Sequence, residues 1–222
     1  NYNRTCYLNR IHFLQILITG GKVMSQIIIS VGREFGSGGR VIAEALAKRF
    51  DLPIYDRHLI TEIANKMGMT ASEIEKLDEA PKSRLTSRRV RGFSNSIEDN
   101  IADMQFDFLR KKAESGESFV VVGRCSESKL RDFDGLVSLF IIGDMDEKIK
   151  RVTKLYEMNE SEAKLFIEKK DKKRKRYHNY HVGLHWGDSR LYDLTVNSSR
   201  LGIEKTIDFL EDYIKARMNA YK

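Results

Sequence analysis

At 222 residues the chain is long enough to bury a sizeable core in one domain, or in one domain carrying an inserted lobe. A hydrophobic fraction of 41% is that of an ordinary globular protein, and no segment is apolar enough to cross a bilayer. The formal charge of +7 and a pI near 9.3 favour anionic partners without choosing among nucleotides, nucleic acids and membrane surfaces.

Residues 11–18 form a short apolar run behind Arg4 and Arg10, too short to span a membrane and lacking a small-x-small cleavage site. Met24 stands just before the first strand. Translation is expected to begin there, leaving 1–23 as a poorly ordered upstream read-through, with a partly docked strand as the alternative. Cys6 and Cys125 form neither a disulfide framework nor a metal pattern, which places the chain in a reducing compartment such as the cytoplasm.

Ile27, Ile28, Ile29 and Val31 are β-branched residues in a run too short for a helix and read as a buried strand. From Val41 the apolar residues Val41, Ile42, Ala45, Leu46 and Phe50 recur at helical spacing. Between the two lies a turn of Gly36, Ser37, Gly38 and Gly39. A strand, a glycine turn and a helix N-terminus bring several backbone N–H groups to one point, where the macrodipole also favours negative charge, so the stretch is a phosphate cradle. The pattern G-x-x-x-x-G-K-[ST] is not met: Gly39 holds the lysine's place, and Val41 stands where a magnesium-binding hydroxyl is expected. Arg33 and Arg40 flank the turn and could supply the positive charge. The alternative is a tight connection that binds nothing.

A short strand over 53–55 ends in Asp56 and Arg57, which face the ligand crevice if the sheet is open and parallel; a helix cap followed by a surface charge is the other reading. Helices are expected over 58–67 and, behind the capping box of Thr70 and Glu73, over 70–79. Residues 81–95 have the composition of a mobile basic loop, and helical spacing resumes from Ile97 to Glu114. Strands follow over 118–123, which delivers Arg124 at its carboxyl end, and over 136–142. A helix over 144–156 places Ile149 and Val152 inward and Lys148, Lys150 and Arg151 outward. Residues 161–177 form a helix carrying Lys164, Lys169, Lys170, Lys172, Lys173, Arg174, Lys175 and Arg176: a solvated face, a nucleic-acid patch, or a lid closing over phosphates. Asp171 within the run favours the lid and makes nucleic acid an unlikely partner. His178, His181 and His185 lack a companion cysteine or acid at ligand spacing, so no metal site is assigned to them. A strand over 191–197 and an amphipathic helix through Ile203, Ile207, Leu210 and Ile214 complete a three-layer α/β/α domain with a parallel five-stranded sheet.

From residue 27 onward the chain resembles the cytidylate-kinase-like branch of the P-loop nucleoside monophosphate kinases. The likeness is carried by GREFGSGGR at 32–40, YDR at 55–57, VVVGR at 120–124, DKKRKRY at 171–177, WGD at 186–188 and YDLTVNSSRLGIE at 192–204. The resemblance implies a P-loop NTPase-type domain over 24–222, with a helical acceptor-binding insert near 58–116 and a lid near 159–188. It also implies ATP and Mg²⁺ as cofactors, a small nucleotide or phosphate acceptor as partner, and no membrane. ATP phosphates would lie on Gly36, Ser37, Gly38 and Gly39 with Arg33, Arg40 and Val41, and Asn197 would approach the adenine. Asp56, Arg57 and Arg124 would serve the acceptor. Lys170, Arg174 and Arg176 would reach the transferred phosphoryl group, with Asp171 orienting them. Besides the missing lysine and hydroxyl, Cys125 departs from the family pattern: it stands where cytidylate kinases have an aspartate that reads cytosine. A non-catalytic nucleotide-binding protein of the same fold is the alternative function.

Overall fold

The β-branched run does form the central strand, β1 (Ile28–Arg33), and the glycine turn leads from it into α1 (Gly39–Arg49). The computed structural model describes residues 26–56, 89–90, 93–94 and 97–220. In chain order β2 (Ile54–Tyr55), a pairing of β3 (Arg89–Val90) with β4 (Phe93–Ser94), α2 (Ile97–Glu114), β5 (Phe119–Val122) and a one-turn α3 (Ser126–Lys129) follow. Then come β6 (Leu136–Ile142), α4 (Met145–Tyr156), α5 (Glu160–Val182), a 3₁₀ turn at Ser189–Leu191, β7 (Leu194–Asn197), α6 (Ser198–Leu201) and α7 (Ile203–Ala220).

The main sheet has the order β2-β5-β1-β6-β7, and each neighbouring pair runs parallel. β1 lies at its centre and is covered on both sides, which explains why its sequence is a continuous apolar run without alternation. Ile29, Val31, Val120, Val122, Leu139 and Ile141 project to the face covered by Ile42 and Leu46 of α1 and by Ile207, Leu210 and Ile214 of α7. Ile28, Phe119 and Val121 project to the other face, against Leu109 and Ala113 of α2. Each such side chain removed from water contributes about 1.5–3 kcal/mol. Because all five strands point the same way, their carboxyl ends share one edge, where the glycine loop, Asp56, Arg124 and Gly143 follow strands and Asn197 ends β7.

Several elements differ from the sequence expectation. The last strand begins at Leu194, because Asp193 is drawn onto β6, where its Oδ2 accepts the backbone N–H of Ser138 at 2.8 Å and the Ser138 hydroxyl at 3.1 Å. The basic helix runs on to Val182 from a full capping box at Asn159 and Glu162. The β3–β4 pairing lies within a stretch of loop composition, since a backbone ladder needs no apolar signature. The stretch 1–23, the helices over 58–67 and 70–79, and Arg57 lie outside the described residues. Among the described residues no helix is long and apolar enough to cross a membrane.

Candidate active site

The glycine loop is fixed from behind. Ser37 Oγ donates to the Glu34 carbonyl at 2.9 Å and accepts the Gly39 N–H at 3.3 Å. Ser198 Oγ donates to the Ser37 carbonyl at 2.6 Å, and Arg151 donates to the Gly36 carbonyl. Gly38 caps α1 at φ 79°, and a Cβ there would collide with Ile203, so the turn needs glycine for conformation and for space. The first turn of α1 closes when the Ile42 N–H bonds the Gly38 carbonyl at 3.0 Å. The N–H groups of Arg40 and Val41 precede that bond and are the orphan donors of a helix N-terminus, the part of the loop that suits a phosphate. Phe35 anchors the loop from below, with its ring 5.3 Å from Phe166 in an edge-to-face contact and 6.0 Å from Tyr156.

The basic helix α5 is docked onto this loop through its inner face, where Asp171, Arg174 and His178 recur at helical spacing. Asp171 Oδ1 accepts the Phe35 N–H at 2.6 Å, and Oδ2 accepts Lys148 Nζ at 3.1 Å. Lys148 also donates to Glu34 Oε2 at 3.1 Å. Burial raises the Asp171 pKa, against the lowering effects of the Phe35 N–H and Lys148. Lys148 is thus buried between two acids and Arg151 holds the loop, although both were expected to face out; their charges are satisfied by partners that no local pattern reveals. Arg174 Nη1 donates to the Arg33 carbonyl at 3.1 Å and lies 3.8 Å from Asp171, with its guanidinium 5.3 Å from the Phe35 ring centroid.

In front of the loop a cleft opens at the carboxyl ends of β1 and β5, lined by Gly32, Arg33, Arg124, Cys125, Arg174 and Tyr177, with Glu127, His178, Trp186 and Tyr192 as its far wall. Gly123, Arg124 and Cys125 have φ values of 75°, 63° and 53°, three left-handed residues in succession. For the two that carry a Cβ this costs about 1–2 kcal/mol each. The turn is pinned by the Ser126 hydroxyl, which donates to the Gly123 carbonyl at 2.8 Å and lies 2.7 Å from the Ser30 hydroxyl of β1. His178 and Glu127 share a buried 2.8 Å hydrogen bond that closes the wall and joins α5 to α3. Burial, with Glu127 and Cys125 nearby, holds the Tyr192 phenol well above its ordinary pKa.

The charge in the cleft is lopsided. Burial and the guanidiniums of Arg174 and Arg124 depress the Arg33 pKa, with Asp56 opposing them. An arginine does not give up its proton in a protein, so the depression marks a charged guanidinium that is desolvated first and set among like charges second. That is a place for an anion.

The remaining expected residues are distributed unevenly. Arg40 is exposed and bonds Glu44 at 2.8 Å and Asp56 at 3.2 Å. Val41 is 53% exposed, and a strict count along the loop pattern places the hydroxyl one position earlier, on Arg40; neither side chain is a metal ligand. Lys170 lies over the Phe166 ring at 5.1 Å. Arg176 is exposed, two residues beyond Arg174 and therefore on another side of α5. Asn197 caps α6 through the Ser199 N–H at 3.0 Å and donates to Asp144 at 2.8 Å. Glu34, Phe35, Lys148, Ser198 and Glu127 have places in the site that sequence reasoning missed. Only Ser198, a hydroxyl where the last strand gives way to helix, carried a local signal.

The model of the Cytidylate kinase-like family matches residues 28–200. The chain belongs to that family. It is 24% identical over 197 residues to a cytidylate kinase of Methanopyrus kandleri, covering 83% of this chain and 91% of that one. To a cytidylate kinase of Thermococcus kodakarensis it is 26% identical over 178 residues, covering 79% and 81%. Among solved structures, an uncharacterized protein from Eubacterium ventriosum is 37% identical with a TM-score of 0.68, over 86% of this chain and 99% of that one. Shikimate kinase from Bacteroides thetaiotaomicron is 15% identical with a TM-score of 0.51, over 85% and 98%, and shares the fold. The cytidylate kinase-like chain therefore has the P-loop kinase fold, and its family and fold are those of phosphotransferases.

Proposed function

We propose that the chain is an ATP-dependent phosphotransferase that moves the γ-phosphoryl group of ATP to a nucleoside monophosphate or a similar small phosphate-bearing acceptor. The observation that carries this reading is the convergence of Arg33, Arg124 and Arg174, from two strand ends and the docked helix, on one cleft beside the glycine loop. An acceptor phosphate is already deprotonated near neutral pH. Its oxygen attacks the γ-phosphorus, the bond to the bridging oxygen breaks, and ADP leaves; no side-chain base is required. Positioning and charge neutralisation are then the protein's whole share.

In this scheme the α1 N-terminus holds the donor phosphates, Arg124 with Arg57 holds the acceptor phosphate, and Lys170 and Arg174 meet the transferred group. Asp171 acts by tying α5 to the loop, and Asn197 borders the adenine. Magnesium would supply charge neutralisation on the phosphates. Asp56 is paired with Arg40 at 3.2 Å and stays with the acceptor, and the described residues contain no cluster of acids, histidines or cysteines grouped to hold the ion, which would come with the nucleotide. Cys125 cannot accept from an exocyclic amine as a carboxylate does, and the Glu127 carboxylate in the same cleft is engaged with His178.

The test is a coupled ADP-release screen over nucleoside monophosphates and small phosphate acceptors with magnesium. Acceptor-dependent ADP release is the expected result. ATP binding without transfer to any acceptor would favour the non-catalytic nucleotide-binding alternative.

A further inference from the structure

The phosphate-loop pattern G-x-x-x-x-G-K, laid with its second glycine on Gly38, puts its first glycine at position 33 and its lysine at position 39. This chain has Arg33 and Gly39: the cation and the glycine have changed places. In three dimensions the exchange is one steric unit. A Cβ at Gly39 would lie 2.5 Å from Cβ and 3.1 Å from Cγ of Arg33, so the arginine stem runs through the space a side chain at 39 would fill. Further along, a Cβ at Gly123 would strike the Arg33 guanidinium itself. Arg33 is threaded between two side-chain-free positions, one on the donor helix and one at the end of β5, and emerges into the cleft.

Among the described residues its guanidinium has no hydrogen-bond or ion-pair partner. Arg40, the other cation flanking the loop, directs its donors to Glu44 and Asp56 instead. A partly desolvated guanidinium among other guanidiniums is costly until an anion meets it, and its planar fork suits two phosphate oxygens at once.

We propose that Arg33 takes the part of the missing loop lysine, gripping phosphate oxygens of the nucleotide where the donor loop meets the acceptor cleft, with Gly39 and Gly123 kept bare to let it pass. This rests on the phosphotransferase reading, and the test separates the two. ATP affinity is measured by calorimetry, which needs no turnover, alongside ADP release and thermal unfolding, for wild type, Arg33→Met, Arg33→Lys, Gly39→Lys and the double variant Arg33→Gly with Gly39→Lys.

Arg33→Met keeps the stem and removes the charge; it should bind ATP about tenfold or more weakly and turn over about 100-fold or more slowly. Arg33→Lys should retain most of the affinity. Gly39→Lys alone should fail, because its Cβ meets the Arg33 stem, whereas the double variant restores the common pattern and should recover about tenfold over the single. Wild-type ATP affinity and turnover in Arg33→Met would overturn the proposal. So would a folded double variant no better than Gly39→Lys. If wild type binds ATP but releases no ADP with any acceptor, the phosphotransferase reading fails alone: a tenfold affinity loss in Arg33→Met still supports Arg33 as the phosphate ligand, and unchanged affinity refutes it.

Discussion

The rear of the glycine loop and the cleft in front of it lie on either side of β1's last residue and are built on opposite principles. Behind the loop, charges are buried in pairs: Lys148 lies between Glu34 and Asp171, and Arg151 meets the Gly36 carbonyl. In front, Arg33, Arg124 and Arg174 crowd one cleft, and two non-glycine residues hold left-handed backbone. The rear pairs its buried lysine with acids; the front gathers three guanidiniums on one cleft and is strained in backbone. Backbone of that kind persists only because the rear and the sheet over-determine it.

The contrast can be broken most forcefully from the rear. Lys148→Met would leave two acids facing each other without their shared cation and should cost about 3 kcal/mol in denaturant unfolding. A loss near zero would show that the rear network does not hold the loop. Arg174→Ala probes the seam between the regions: kcat should fall about 100-fold or more, a loss of roughly 3 kcal/mol in transition-state stabilisation, with a much smaller change in ATP affinity. Equal losses in affinity and kcat would assign Arg174 to ground-state binding.

Arg124→Gly should separate stability from function at the front. Glycine takes φ 63° without strain, so the variant should gain about 0.5–1 kcal/mol in stability while the KM for the acceptor rises. Reduced stability would mean that Arg124 holds the fold and not a ligand.

The smallest effect concerns Asp171. Its native carboxyl keeps a proton to higher pH than the ordinary 3.8, so the native state binds more protons than the unfolded chain just above that value. Stability from this group is full at lower pH and is lost as pH rises through the native pKa. Asp171→Asn should remove that downward slope from the stability curve; an unchanged slope would mean that the native carboxyl titrates like an unfolded one.

The strand–glycine–helix unit was legible because periodicity and turn chemistry are local: a β-branched run, then Gly36 to Gly39, then apolar residues at helical spacing. The placement of Arg124 was legible for the same reason, since VVVG ends a strand and parallel strands share one functional edge. The capping-box start of α5, at Asn159 and Glu162, was equally local but went unread.

Lys148 shows where local reasoning stops. Beside Lys150 on an amphipathic helix it has the pattern of a solvent-facing residue, and its burial depends on Glu34, 114 positions away, and Asp171, 23 positions away. The left-handed turn at Arg124 and Cys125 left no mark either, because neither residue is glycine and the strain is sustained by the Ser126 contacts to Gly123 and Ser30. Sequence alone therefore determined the five parallel strands, the strand–glycine–helix unit and the presence of cations near its loop. Tertiary structure alone decided which cations are buried against acids and which converge on the cleft, because charge pairing and the path of Arg33 between Gly39 and Gly123 join residues from separate elements, and no local period encodes such distances.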